Sequence, residues 1–118
     1  MISMREAYEK IGANYEDACA RLMGEEMLSR FALKFLDDES MDKLEAAMAA
    51  GDAEGAFMAA HTLKGVSQNL GFDNLYEPAV VVTEALRGAD AVDGAREGMH
   101  ALQQQYAATM SALREAGE

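Results

Sequence analysis

The sequence predicts an all-α protein, an antiparallel up-down four-helix bundle with one or two short N-terminal helices capping one end. Three observations lead to this prediction. Ala, Leu, Met and Glu are abundant and β-branched residues are few, which favours helix. Apolar residues recur at spacings of three and four over most of the chain. Gly and N-capping residues interrupt that period, and long helices with short connections are typical of up-down bundles.

Residues 1–23 are expected to form the two capping helices. Ser3 and Glu6 have the spacing of a capping box, and Gly12 is positioned to end the first helix. Asn14 is the expected N-cap of the second helix, before Gly24 ends it. One face of that helix is apolar: Tyr15, Ala18, Cys19, Leu22 and Met23. Its single cysteine has no internal disulfide partner, so we expect a buried thiol.

Residues 25–116 are expected to form the bundle itself, and the first part of this range allows two arrangements. Glu25 and Glu26 begin a helix, where acidic side chains suit the helix dipole. The apolar period then breaks at the sequence Asp-Asp-Glu-Ser of residues 37–40. Either Ser40 caps a second helix, or one long helix continues through the break with a kink.

Three further helices complete the predicted bundle. Gly51 and Asp52 form a turn and an N-cap, and the helix that follows runs to Leu70 and ends at Gly71. The next helix contains Pro78, which lacks a backbone donor and should make the first turn irregular or kinked. A turn at 88–90 precedes the last helix, whose start is weakened by two glycines. The core stripes of these last two helices are Leu75, Ala79, Val82 and Leu86, then Val92, Ala95, Met99, Leu102, Tyr106, Thr109 and Leu113.

Length and charge exclude several classes of function. The chain has 118 residues, which suits one domain with a single core. Its formal net charge of −11 repels phosphate backbones and anionic lipids, so we expect neither a nucleic acid nor a membrane as partner. No apolar run approaches the ~20 residues that cross a bilayer, and the N-terminus lacks the organisation of a signal peptide. We expect a cytoplasmic monomer.

The helix beginning after Asp52 has two distinct faces. Its core stripe is Ala56, Ala59, Leu63, Val66 and Leu70. At about 100° per residue, His61 falls nearly opposite that stripe, with Lys64, Gly65 and Gln68 beside it. A glycine inside a helix costs roughly 1 kcal/mol relative to alanine. Gly65 lies away from the core, which suggests that the space it leaves is needed next to the imidazole rather than for helix packing.

Large apolar side chains also lie on the His61 face. Phe57 and Met58 flank His61 one turn upstream. Apolar groups turned away from the core suggest a surface that another molecule covers. The alternative is that the two side chains pack on a neighbouring helix. We favour a docking surface.

Elimination leaves one chemistry for this face. His100 has no His or Cys one turn away, and Glu-x-x-His pairs for a bundle metal site do not occur, so we expect no metal site. Cys19 and Ser67 lie on or near core stripes, and Gly-rich nucleotide loops are missing. Phosphoryl acceptance by His61 remains, since imidazole is nucleophilic near pH 7. Lys64 would offset charge, glycine would leave room, and a partner would bring the metal and the donor group.

The segment His61-Thr62-Leu63-Lys64-Gly65, followed by Asn69-Leu70-Gly71, resembles the His-x-Leu-Lys-Gly signature of histidine-containing phosphotransfer (HPt) domains. The likeness extends from about Glu25 to the C-terminus, and the first two helices match only loosely. The resemblance implies a four-helix bundle in which His61 accepts a phosphoryl group from a receiver-domain aspartyl phosphate and passes it to another receiver aspartate. Its partners would be response-regulator receivers, including those of hybrid histidine kinases. It would need no cofactor of its own, because the divalent metal is expected on the receiver.

The resemblance also assigns roles to neighbouring residues. Lys64 and Gly65 match the family's phosphate-side lysine and glycine. Family members often place Gln or Glu on the next helix to bind the second imidazole nitrogen, and Thr83 holds that place here, so His61 would be oriented more loosely. Arg87, one turn further, matches a position that is sometimes basic and would face the phosphoryl group or an acidic receiver rim. Gln68 is added to the phosphate side from helix geometry alone.

A receiver-docking patch is expected to combine Phe57, Met58 and Phe72. Two alternatives to a phosphorelay carrier stay open at this point. One is an adaptor that binds a receiver without being phosphorylated, and the other is a phospho-acceptor module cut from a histidine kinase. The chain has no ATP-binding domain of its own, so we expect a phosphocarrier rather than a kinase.

Overall fold

The computed structural model describes residues 1–117, which form seven α-helices. Their bounds are α1 Met4–Ile11, α2 Tyr15–Leu22, α3 Glu25–Lys34, α4 Ser40–Ala50, α5 Ala53–Asn69, α6 Asp73–Leu86 and α7 Arg96–Gly117. Two 3₁₀ turns, Phe35–Asp37 and Asp93–Ala95, follow α3 and precede α7. This part of the chain contains no β-strand, and none of its helices has the length and apolar character of a membrane span. The all-α prediction is confirmed.

The helices pack around a continuous apolar core with α5 between two neighbours. α5 packs against α4 and α6, α6 packs against α7, and α7 also contacts α1 and α3. The largest fully buried side chains come from every helix except α2: Tyr8, Leu28, Phe35, Met41, Leu44, Leu63, Phe72, Leu75, Val82, Leu86, Leu102 and Leu113. The predicted core stripes of α6 and α7 are buried, except that Tyr106 is half-buried.

Three of the four predicted caps of the N-terminal helices are confirmed, and the fourth is wrong, because Met23 rather than Gly24 ends α2. The Ser3 hydroxyl oxygen accepts from the Glu6 amide at 3.1 Å, and the Glu6 carboxylate accepts from the Ser3 amide at 3.2 Å. Gly12 ends α1 with φ +71°, in the left-handed region that glycine adopts without a steric penalty. The Asn14 side chain accepts from the Asp17 amide at 3.0 Å.

Two expectations for the apolar face of α2 are wrong. Met23 is 90% exposed, because it takes the left-handed conformation (φ +63°) that ends the helix and turns its side chain outward. Cys19 is only partly buried. The rest of the stripe is at least partly covered: Tyr15 and Ala18 are buried, and α2 packs against α3 and α1.

Tyr8 fixes the N-terminal helices to the rest of the core. Its ring lies 5.5 Å from Tyr15 and 5.3 Å from Phe72, centroid to centroid. Its hydroxyl donates to the Leu70 carbonyl at 2.7 Å, and burial raises the pKa of this phenol. The Asn14 amide donates to the Gly71 carbonyl at 2.7 Å. α1 and α2 are therefore held against the junction of α5 and α6.

Residues 25–50 form two helices, which decides between the two arrangements that the sequence allows. α3 ends in a 3₁₀ turn, and Asp38 is extended (φ −70°, ψ 134°) before α4 begins. Ser40 is the first residue of α4 rather than its cap. The Asp38 carboxylate instead accepts from the Ser40 amide at 2.8 Å.

The helix that carries His61 begins and ends as predicted. The Asp52 carboxylate accepts from the Gly55 amide at 2.9 Å, and Gly71 has φ +71° just beyond the end of α5. A Cβ at Gly71 would lie 2.6 Å from the Asn14 carbonyl, so no other residue fits there without movement. α6 runs through Pro78 without interruption.

Candidate functional site

His61 is exposed near the middle of α5. The opposite side of this helix is buried in the core: Ala56, Ala59, Ala60, Leu63 and Ser67. No hydrogen bond joins the imidazole to any other residue between 1 and 117. Both ring nitrogens are therefore free to meet a partner, and the helix fixes where the imidazole stands.

Phe57 supports the imidazole from one turn upstream. The two rings stack with centroids 5.9 Å apart and planes 19° from parallel. Phe57 is half-buried and packs against the core, so only part of its ring can face a partner. The guanidinium carbon of Arg87 lies 5.1 Å from the centre of the same ring, within cation–π range. Phe57 therefore links α5 to the end of α6 beside His61.

Lys64 and Gly65 lie one turn beyond His61. Lys64 is half-buried, and no carboxylate oxygen of the described residues lies within 4.0 Å of its ammonium group. A Cβ added at Gly65 would meet no atom within 4 Å outside its own helix. Close packing between helices therefore does not explain this glycine. Gln68, two turns from His61, is exposed on the same side.

Glu84 is a member of the site that the sequence analysis missed. It forms an ion pair with Arg87, in which Nη2 lies 2.8 Å and Nε 3.2 Å from carboxylate oxygens. The Arg87 hydrogen bond lowers the pKa of Glu84, and the charges of Arg87, Lys64 and His61 act in the same direction. The carboxylate therefore lies within the electrostatic reach of both basic side chains and of the imidazole.

Two predicted site residues are not at the site. Phe72 is fully buried, with its ring 5.3 Å from Tyr8 and 5.4 Å from Phe35, so it cannot belong to a docking patch. α1, which supplies Tyr8, covers it. Thr83 is also fully buried, and its hydroxyl donates to the Ala79 carbonyl at 2.7 Å. A threonine commonly uses the carbonyl four residues earlier in this way, so no donor is left for the imidazole or a phosphoryl group.

Met58 lies on the side of His61 that faces α3 and α4. Two shallow grooves lie there, each between α5 and one of these helices. Met58 is 58% exposed and lines a groove of about 220 Å³ between α4 and α5, together with Lys43 and Thr62. A second groove, of about 200 Å³ between α3 and α5, is lined by apolar side chains such as Phe31 and Val66 and by one lysine and one aspartate, Lys34 and Asp38.

Both grooves combine apolar side chains with a lysine. Between residues 1 and 117, no carboxylate oxygen lies within 4.0 Å of the Lys34 or Lys43 ammonium group. Of the other basic side chains in this range, Arg5, Lys10, Arg21, Arg87 and Arg96 form ion pairs, and Arg30, Lys64 and Arg114 do not. The α3–α4 side of His61 therefore carries exposed apolar side chains and two lysines, with the Asp38 carboxylate in the second groove.

His100 lies apart from this face. It is exposed on α7 and lines a shallow groove with Glu45, Arg96 and Gln103. Among residues 1–117, no group of three or more His, Cys, Asp or Glu side chains is placed to hold a metal ion.

Comparison with protein-family models gives a match to the Hpt domain over residues 26–116. Searches of curated proteins and of solved structures gave no match. The matched range begins in α3 and ends in α7, so it includes the His61 face, both grooves and the Glu84–Arg87 pair, and leaves out α1 and α2.

Proposed function

The chain belongs to the Hpt domain family, and on that premise we propose that it carries a phosphoryl group on His61 between receiver domains. Hpt domains act in histidine phosphotransfer within phosphorelays and interact with response-regulator receivers. They are phosphocarriers rather than enzymes with a kinase domain. The observation that carries the proposal is an imidazole that is exposed, stacked on Phe57 and free of hydrogen-bond partners in residues 1–117.

The proposed step is a direct displacement at phosphorus. A ring nitrogen of His61 attacks the phosphorus of the receiver's aspartyl phosphate, and the bond from phosphorus to the aspartate oxygen breaks. The carboxylate leaves, the nitrogen–phosphorus bond forms, and the imidazolium loses its proton to solvent. The reverse step passes the group to a second receiver. Phosphoryl transfer depends mostly on positioning and charge, so a divalent metal on the receiver would complete the site.

Three side chains next to His61 suit the transferred group. Lys64 has no ion-pair partner among the described residues, so its charge is available to the phosphoryl oxygens. The open space at Gly65 leaves room for three oxygens. Gln68 lies exposed within the same face and would donate a hydrogen bond to the group or to the receiver.

The proposed architecture is an antiparallel up-down four-helix bundle over residues 25–116, capped at one end by residues 1–23. Neighbouring helices from α4 to α7 pack in chain order. The Gln103 side chain on α7 donates to the Glu45 carboxylate on α4 at 3.0 Å, so the first and last of these helices meet. The packing in chain order and this contact support the proposed up-down arrangement.

The α3–α4 side of His61 is the proposed docking surface for the receiver. It offers the exposed Met58, the partly exposed Phe31, and the ammonium groups of Lys34 and Lys43. Two lysines beside exposed apolar side chains, on a chain of net charge −11, favour a partner segment that is apolar with acidic neighbours.

Met58→Glu is expected to weaken receiver binding at least 10-fold, because it places a charge in the apolar centre of the interface. Val81→Glu is the matched control: Val81 is also 58% exposed, but it lies against α7, where Gly98 approaches its side chain. Binding isotherms of both variants with one receiver test the assignment. Equal weakening by the two substitutions would show that the interface lies elsewhere.

Gly65→Ala is expected to change stability and transfer in opposite directions. Alanine should stabilise the helix by about 1 kcal/mol, since Gly65 has a helical backbone and no neighbour that a methyl group would meet. The methyl group would crowd the phosphoryl oxygens and slow transfer by roughly 10-fold. Urea unfolding measures the change in stability, and transfer reactions quenched at successive times measure the transfer rate. A faster or unchanged transfer rate would mean that the space at Gly65 is not used.

Transfer of labelled phosphate from candidate phosphorylated receivers tests the function directly. The label should appear on the chain within the reaction time, be lost in acid and persist in alkali, as a phosphoramidate does. Peptide mapping should place it on His61 and not on His100. If receivers bind but none transfers label, the protein is an adaptor rather than a carrier.

A further inference from the structure

Arg87 is held by two groups that are not phosphate. Its guanidinium donates to the Glu84 carboxylate at 2.8 and 3.2 Å, and it lies over the ring of Phe57, which stacks on His61. The basic group is thus one aromatic ring away from the imidazole. The anion that it now binds is the carboxylate of Glu84, three residues earlier in the chain.

A phosphoryl group on His61 would compete with Glu84 for this guanidinium. Carboxylate and phosphoryl oxygens bind the same fork of N–H donors, and the phosphoryl group carries the larger charge. Both members of the ion pair are about half exposed, so burial does not hold the Arg87 side chain on Glu84. The Glu84 carboxylate left without Arg87 would also repel the phosphoryl group, since both carry negative charge.

We propose that Glu84 is an internal competitor for Arg87, and that the exchange of Arg87 from Glu84 to the phosphoryl group sets how much phosphate His61 retains against a receiver. The inference rests on the proposed function. It makes Glu84 a positioning residue that acts through Arg87. A carrier must release what it accepts, and a competing anion limits how strongly the loaded state is stabilised.

The test is the equilibrium distribution of phosphate between the full chain and a receiver that labels the wild type. Glu84→Gln should raise the ratio of phosphohistidine to phosphoaspartate by about five-fold, the size expected for one exposed charge contact. Glu84→Asp, which keeps the charge, should stay near the wild-type ratio. Asp93→Asn is the matched control. Asp93 and Arg96 form another exposed ion pair between residues three apart in sequence, and this pair does not lie beside His61. An unchanged ratio in Glu84→Gln overturns the inference.

A double substitution separates exchange from simple repulsion. In an Arg87→Met background, Glu84→Gln should have at most half its effect on the logarithm of the ratio, because the contested cation is gone. An undiminished effect overturns the exchange. Circular dichroism of each variant checks that the helices are intact.

Chemical labelling with phosphoramidate provides a readout that needs no receiver. The Arg87 Nε–H resonance of the wild type should move on phosphorylation, and less so in Glu84→Gln, where arginine is free beforehand. An Arg87 Nε–H chemical shift that is unchanged by phosphorylation overturns the inference. If receivers never label the wild type, the proposed function fails, whereas an unmoved Arg87 signal on chemically labelled protein defeats the exchange alone.

Discussion

His61→Gln is expected to abolish phosphoryl acceptance while leaving the fold and receiver binding intact. The side-chain amide of glutamine has no nucleophilic nitrogen to attack the phosphorus. His61 is exposed and forms no hydrogen bond within residues 1–117, so stability should change by no more than about 0.5 kcal/mol. Label transfer, thermal unfolding and receiver binding measured on one preparation separate the three effects.

The matched control is His100→Gln, which removes the only other imidazole. That side chain lies on α7 away from the His61 face, so its loss should leave transfer at the wild-type rate. Label that persists in His61→Gln, or that falls equally in both variants, contradicts the assignment. A wild type that binds receivers as tightly as His61→Gln and accepts no label would identify an adaptor.

The features that sequence could predict are those set within one helix. The period of α5 places His61 opposite the buried stripe, and Asp52 and Gly71 mark its ends. These outcomes depend on helical geometry and on caps a few residues away. The break before Ser40 is ambiguous in the sequence, because the same polar stretch is compatible with a kink in one helix and with the start of a new one. The structure shows an extended residue at Asp38, which separates two helices.

The errors occur where a distant segment decides the environment. Phe72 follows the His61 helix, and its burial depends on Tyr8 from α1 and on Phe35 after α3. The role of Thr83 depends on counting from the motif, whereas its hydroxyl is already bound to Ala79. Glu84 escapes notice because one acidic residue among many has no distinguishing pattern. Its spacing of three from Arg87 is a usable signal, but its nearness to Lys64 requires the packing of α5 on α6.

The proposed docking surface is likewise only partly predictable from the sequence. Met58 can be identified because it is apolar on a face turned away from the core. The lysines that accompany it come from α3 and α4, and their lack of carboxylate neighbours among residues 1–117 is a tertiary property. A charge pattern assembled from three helices has no signature in any one of them.

Phe72→Ala is expected to destabilise the protein by about 3–5 kcal/mol, the range for removing a buried aromatic ring. Its ring is fully buried between Tyr8 and Phe35, so the substitution leaves a cavity at the junction of α1, α5 and α6. Against a typical total of about 5–15 kcal/mol, this loss would unfold much of a marginally stable domain. Urea unfolding at room temperature measures it.

Two companion variants make the result specific to burial. Phe72→Leu keeps most of the volume and should cost clearly less than alanine. Met58→Ala removes a side chain that is 58% exposed, so it should change stability by under about 1 kcal/mol while weakening receiver binding. If Phe72 were a docking residue, the two alanine variants would behave alike: stability would hold and binding would fall in both. Because Phe72 is buried, we expect the two variants to differ: Phe72→Ala should lose stability, and Met58→Ala should lose receiver binding. A ring that stabilises the core at the base of α6 has no surface left for a partner to contact.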